Sequence, residues 1–180
     1  MNLKKIKILS VLGIFLLSFL SHFAYKLFPN IIFSFIFPVN ESIWEHMKIL
    51  FTSTLLYGII DYLLLKKYNI KYNNFNFQLY FTALIGIPIY LVIYLPLYNL
   101  LGESPFISIS LLLIVYIITQ IVSYNILKEK ELKILNLITI PVILLSYLGF
   151  IYLTYNPPHT YIFYDINEDK YSINDYIKLE

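Results

Sequence analysis

Residues 37–65 read FPVNESIWEHMKILFTSTLLYGIIDYLLL. The stretch changes character once. Phe37 to His46 gathers two carboxylates (Glu41 and Glu45), a histidine (His46) and the single tryptophan of the chain (Trp44). From Met47 to Leu65 the chain is apolar, apart from a few positions such as Lys48 and Asp61. At 1.5 Å per residue, a helix from Ser42 to Leu65 is long enough to cross a hydrocarbon core of about 30 Å. The motif therefore marks the entrance of a membrane span.

The pattern repeats outward in both directions. Apolar blocks of similar length cover about 8–28, 77–97, 106–127 and 134–155, and a polar tail occupies 156–180. Of the 180 residues, 59% are apolar and only 13% charged, and the mean hydropathy is +0.71. Soluble domains are about half apolar and about a quarter charged. Such a surplus, cut into blocks of span length, predicts an all-α polytopic membrane protein: a bundle of five transmembrane helices with the lipid bilayer as its main partner. The basic start and apolar run of the first block also fit a signal peptide. Cleavage after Ala24 would put His22 where a small residue is expected, so the block reads as an uncleaved span. Between the first two spans, the apolar connector from Pro29 to Val39 is too short to cross and is expected to lie in the interface or fold back.

Several classes are excluded. No cysteine is present, so there are no disulfides and no thiolate metal sites. The net charge of +2 offers no basic face for nucleic acid. All thirteen basic residues are lysine, which removes bidentate arginine clamping of phosphate or carboxylate.

Lysine placement sets the expected orientation. Lys4, Lys5, Lys7, Lys66, Lys67, Lys71, Lys128, Lys130 and Lys133 fall on one side of a five-span layout; Lys26 and Lys48 fall on the other. The positive-inside rule then puts the N-terminus in the cytoplasm and the C-terminal tail outside the cell membrane. All three histidines share the outer face: His22 late in the first span, His46 early in the second, and His159 just after the fifth.

Two readings of this cluster stand side by side. In the first, Ser42-Ile43-Trp44-Glu45 is a capping box: Ser42 accepts from the Glu45 amide and the Glu45 carboxylate returns to the Ser42 amide. Glu41 and Glu45 suit the positive helix start, and Trp44 suits the aromatic belt. In the second, His22, His46 and His159 are metal ligands, and Glu41 and Glu45 are ligands or acid–base groups. Histidines with a carboxylate and an open position compose a catalytic zinc site, whose bound water can attack an ester, amide or phosphate while a carboxylate takes the proton. His46 points about 100° from the Glu41–Glu45 stripe, so this reading needs ligands from other segments. Asp165 reads as acidic surface tail that could join the site. Asp61 is roughly 22 Å further along the helix than His46; it is expected to pair with Lys66 or Lys67, and Gln120 to bond across helices.

The run Pro38-Val39-Asn40-Glu41-Ser42-Ile43-Trp44-Glu45-His46, with His22 late in the first span and Pro157-Pro158-His159 after the last, resembles a prokaryotic family of small integral membrane proteins of unknown function whose pattern is Pro-Val-Asn-Glu-Ser-x-Trp-Glu-His. The resemblance implies a five-span frame and treats these segments as one site; it implies no reaction. Three functions remain open: metal-dependent hydrolysis of a lipid or peptide with a divalent ion such as zinc, a non-catalytic membrane protein whose motif caps a helix and docks the tail, and a transporter. The last is disfavoured because the first, third and fifth spans carry no ionisable group at their midplanes.

Overall fold

The computed structural model describes residues 1–177; the last three residues of the expected tail lie outside the described residues. Five long helices carry the chain: α1 (Leu3–Leu27), α3 (Ile43–Lys67), α4 (Phe75–Leu101), α5 (Pro105–Lys128) and α6 (Lys133–Tyr155). Two short ones, α2 (Ile31–Ile36) and α7 (Ile173–Ile177), lie in the first connector and the tail. No strand is formed among the described residues. All five long helices are long and apolar enough to cross a membrane, the layout of a multi-pass membrane protein.

Local chemistry fixes the ends. The Asn2 side chain accepts from the Lys5 amide and starts α1. Ser104 accepts from the Ile107 amide, and Pro105 takes the first position of α5, where its missing N–H has no partner to lose. Gly102 closes α4 at φ +74°, a left-handed conformation that favours glycine. Pro88 and Pro96 both lie inside α4, and the helix continues through them, as spanning helices tolerate.

Helix α3 packs between α1 and α4, and α5 closes the ring by packing on α4 and α1. α6 stands outside this ring against α4 and α2. Burial follows the arrangement: in its most apolar window α3 is 61% buried and α6 only 11%. The contact of α1 with α3 is close at Gly13, where any Cβ would fall 2.0 Å from the Tyr57 ring. The outward faces stay apolar, with Leu16, Leu20, Val92, Leu137 and Leu144 among many large exposed side chains, as lipid contact requires.

Most polar groups inside the ring are paired, the Gln78 side-chain N–H being an exception among the described residues. Lys7 Nζ lies 2.6 Å from Asp61 Oδ2 and 3.3 Å from Gln120 Oε1, and Ser10 donates to Asp61 Oδ1 at 2.6 Å. Asp61 thus takes Lys7, across helices, rather than Lys66 or Lys67. The reason is direction: Asp61 faces the bundle, whereas Lys66 and Lys67 are exposed and hold their ammonium groups over the Tyr62 and Tyr68 rings. Gln120 bonds across helices as expected.

Candidate functional site at the Glu41–His46 end of the bundle

The short helix α2 does not span; it folds back against α6. Its placement depends on a charge pair one turn into α3. Lys48, fully buried, lies 2.9 Å from Glu45 Oε2 and donates to the Ser34 carbonyl at 2.9 Å. Glu45 Oε2 also accepts from the Val39 amide at 3.0 Å, and Oε1 from Thr154 Oγ1 at 2.7 Å. Thr52 adds a bond to the Ile36 carbonyl. One buried ion pair therefore fastens the connector, α3 and the end of α6 together.

The capping box forms by half. Ser42 Oγ accepts from the Glu45 amide at 3.3 Å. The Glu45 carboxylate does not return to Ser42, because Lys48, Val39 and Thr154 occupy it; the Ser42 amide goes instead to Asn40 Oδ1 at 3.0 Å. Trp44 packs on Phe150 and Phe163, between α6 and the tail, and its buried indole N–H has no hydrogen-bond partner among the described residues.

With Glu45 held inside, Glu41 is left at the mouth. Its two oxygens face two imidazoles: Oε2 is 3.2 Å from His46 Nε2 and Oε1 is 3.7 Å from His22 Nε2. The His22 and His46 rings stack at 5.3 Å with 16° between planes. Ligand atoms from these three residues all lie within 4.8 Å of one another. The Glu41 carboxyl is held below its ordinary range, first by the hydrogen bond from His46, with burial opposing and the charges of His46, His22 and Lys26 assisting. Bonds of about 2.0–2.2 Å from zinc to N or O place two ligand atoms at most about 4.4 Å apart. Both Glu41–histidine distances, 3.2 and 3.7 Å, already fall inside that limit, and the half-exposed Glu41, ahead of the helix, is free to adjust to an ion.

The structure brings His22, Glu41 and His46 together and leaves two expected site residues elsewhere. Glu45 is part of the frame just described. His159 is exposed and stacks on Tyr171 at 4.5 Å within the tail. A different part of the tail reaches the motif: Asp165, itself buried, accepts from the Glu41 amide at 3.0 Å. Asp165 also accepts from the amides of Asn167 and Glu168, which makes a tight turn of the segment. The sequence shows these residues only as acidic and aromatic tail, since nothing in their spacing reveals which carboxylate turns inward.

Behind the three ligand-type residues lies a cavity of about 320 Å³. Its walls come from α1, α3, α4 and α5, and the tail covers part of it through Tyr161, Tyr164 and Asn167. Tyr90, Tyr94 and Tyr98 form one wall, the first two stacked at 5.0 Å and the last two tilted at 5.8 Å. Glu103, read from sequence only as part of a turn, also lines it.

No curated protein and no solved structure matches the chain. Residues 1–173 match the model of a family of unknown function (DUF6512), and the chain belongs to that family.

Proposed function

We propose that His22, Glu41 and His46 hold a divalent cation such as zinc at the mouth of the cavity, in a multi-pass membrane protein whose N-terminus is cytoplasmic and whose tail is extracytoplasmic. One observation carries this reading: two imidazole Nε2 atoms from different helices converge on the two oxygens of a single carboxylate. Two histidines and a carboxylate, with a position left open, form the ligand set of catalytic zinc sites. The cation would polarise a carbonyl or phosphoryl oxygen and acidify water, which is hydrolytic chemistry. Glu103 lines the same cavity and in this reading would be the carboxylate that accepts a proton there. Glu45 serves as a positioning residue: by fixing the start of α3 it fixes His46.

Metal analysis of the protein purified in detergent tests the reading. The wild type should carry close to one ion per chain, and His46→Ala and Glu41→Gln should carry much less at unchanged folding. Absence of metal in the wild type after zinc loading removes the proposal.

A second reading has its own support. The Ser42 cap and the Asp165–Glu41 amide bond make the motif a docking point for the tail. Under this non-catalytic reading, His22→Ala and His46→Ala leave metal content at background while Asp165→Ala still releases the tail.

A further inference from the structure

We infer that the cavity holds one hydrocarbon chain of a bilayer lipid, admitted sideways between α1 and α5, with the polar end of that lipid at His22, Glu41 and His46. The inference deepens the metal-site reading, since that site defines where the polar end lies.

Three observations lead to it. The first is shape. From Tyr98 to Tyr90 the cavity follows two turns of α4, about 12 Å down from the mouth at 1.5 Å per residue. The imidazole and carboxylate groups of the lining sit at the mouth (His22, Glu41, His46, Glu103); along the wall lie apolar side chains such as Met47, Leu50 and Leu112, interrupted by the hydroxyl-bearing Ser18, Ser108 and Tyr90. A ligand matching this gradient has one charged or polar end and one extended apolar arm. At about 320 Å³ the space is at the small end of ligand pockets, enough for the part of a single chain nearest its polar end.

The second is access. The tail lies over the cavity through Tyr161, Tyr164 and Asn167, on the side away from the helices. On the flank, Phe19 and Phe23 of α1 and Ile109 of α5 line the cavity and are also exposed on the outer face of the bundle. Phe19 and Phe23 further border a shallow apolar depression with Leu20 and Leu27 on the outside of α1. Apolar surface is thus continuous from the cavity wall to the face that meets lipid. A water-soluble ligand gains nothing from that flank, whereas a lipid chain crosses it without leaving hydrocarbon.

The third is charge. No arginine exists in the chain, and the cation supplied by the flank is Lys26, which lies with Phe19 and Phe23 beside the depression. An anionic or ester-bearing lipid end placed at the histidines would meet Lys26 on the outside and the bound cation on the inside.

Photolabelling in phosphatidylcholine nanodiscs containing a lysophosphatidylcholine with a mid-chain diazirine tests this, with zinc content measured on the same samples. Labels should map to the cavity segments of α4 (90–98) and α5 (108–112). Ser108→Trp and Leu112→Trp, which fill the cavity from one helix face, should each lower that labelling about tenfold, the equivalent of about 1.4 kcal/mol of overpacking. Leu144→Trp, on the lipid-facing side of α6, should not. Both filling variants should keep their zinc. Labelling confined to outward faces, or unchanged in both filling variants while zinc is retained, overturns the inference and leaves the metal reading standing. Cavity labelling without any zinc keeps the chain in place and removes the metal reading instead.

Discussion

Asp165 accepts a hydrogen bond from the backbone amide of Glu41 at 3.0 Å, across 124 residues of sequence. The bond leaves the Glu41 side chain free to face the two histidines while its backbone is held by the tail. Its removal should loosen the tail before it affects the bundle. Asp165→Ala deprives three amides of an acceptor, and leaving such groups unsatisfied costs about 1–3 kcal/mol each where they remain buried. Limited proteolysis should cut between Asn156 and Tyr171 much faster in this variant, with the helical circular dichroism unchanged.

The buried Glu45–Lys48 pair predicts an asymmetry. Glu45→Ala leaves a fully buried ammonium without its counter-ion, which costs about 3–5 kcal/mol. Replacing both residues with apolar ones, Glu45→Leu with Lys48→Met, should recover only part of the loss: no uncompensated charge remains, but the Val39 amide, the Thr154 hydroxyl and the Ser34 carbonyl lose their partner. Thermal unfolding in detergent of the two single variants and the double variant measures this. If Glu45 instead acted mainly in chemistry, the single variant would keep its stability.

His159 and the two clustered histidines should separate experimentally. His159 stacks on Tyr171 and stands apart from the ligand group formed by His22, Glu41 and His46. His159→Ala should leave zinc content at the wild-type level, while His22→Ala lowers it as His46→Ala does. Equal loss in all three variants would bring His159 back as a ligand.

The lowered carboxyl of Glu41 gives a pH dependence whose sign is fixed. Its folded value lies below the ordinary 4.5, chiefly because His46 hydrogen-bonds the carboxylate. Such a group contributes its full stability above the ordinary value, and the contribution is lost as the pH falls through the lowered folded value. The side chain is 46% exposed, so solvent screening limits the gain to about 1 kcal/mol or less. Glu41→Gln should therefore be slightly less stable than the wild type at neutral pH, and the difference should close on acidification below about pH 4. Metal-free protein is the sample for this measurement.

The helices were legible because hydrocarbon imposes one requirement on all of them: block length and apolarity alone locate five spans. The start of α3 was legible too, since Ser42 caps as its position in Ser-x-x-Glu predicts. The destinations of the carboxylates were not. Glu41 and Glu45 look alike in sequence, one turn apart, yet one faces the mouth and the other is buried on Lys48. That choice depends on α2 folding back to offer Ser34 and Val39, a tertiary event with no local signal. The same holds for Asp165, whose burial depends on reaching a backbone amide. His22 and His46 could be placed at one face from span counting, but their convergence on one carboxylate depends on the α1–α3 crossing, where Gly13 admits Tyr57.

The Lys7–Asp61 pair supplies a control for the whole arrangement. It lies toward the other end of α3, roughly 22 Å from His46 at 1.5 Å per residue, and shares no partner with the histidine cluster. Asp61→Ala strands Lys7 in a buried setting with only Gln120 to receive it, and should cost about 3–5 kcal/mol. Asp61→Asn keeps an acceptor for Ser10 and should cost less. Sites this far apart, without shared partners, add within about 0.5 kcal/mol. The double variant Asp61→Asn with His46→Ala should therefore show the sum of the two single effects on thermal unfolding, and Asp61→Asn alone should retain full zinc content. A coupling larger than about 1 kcal/mol between them, or loss of zinc in Asp61→Asn, would show that the two ends of the bundle act as one system.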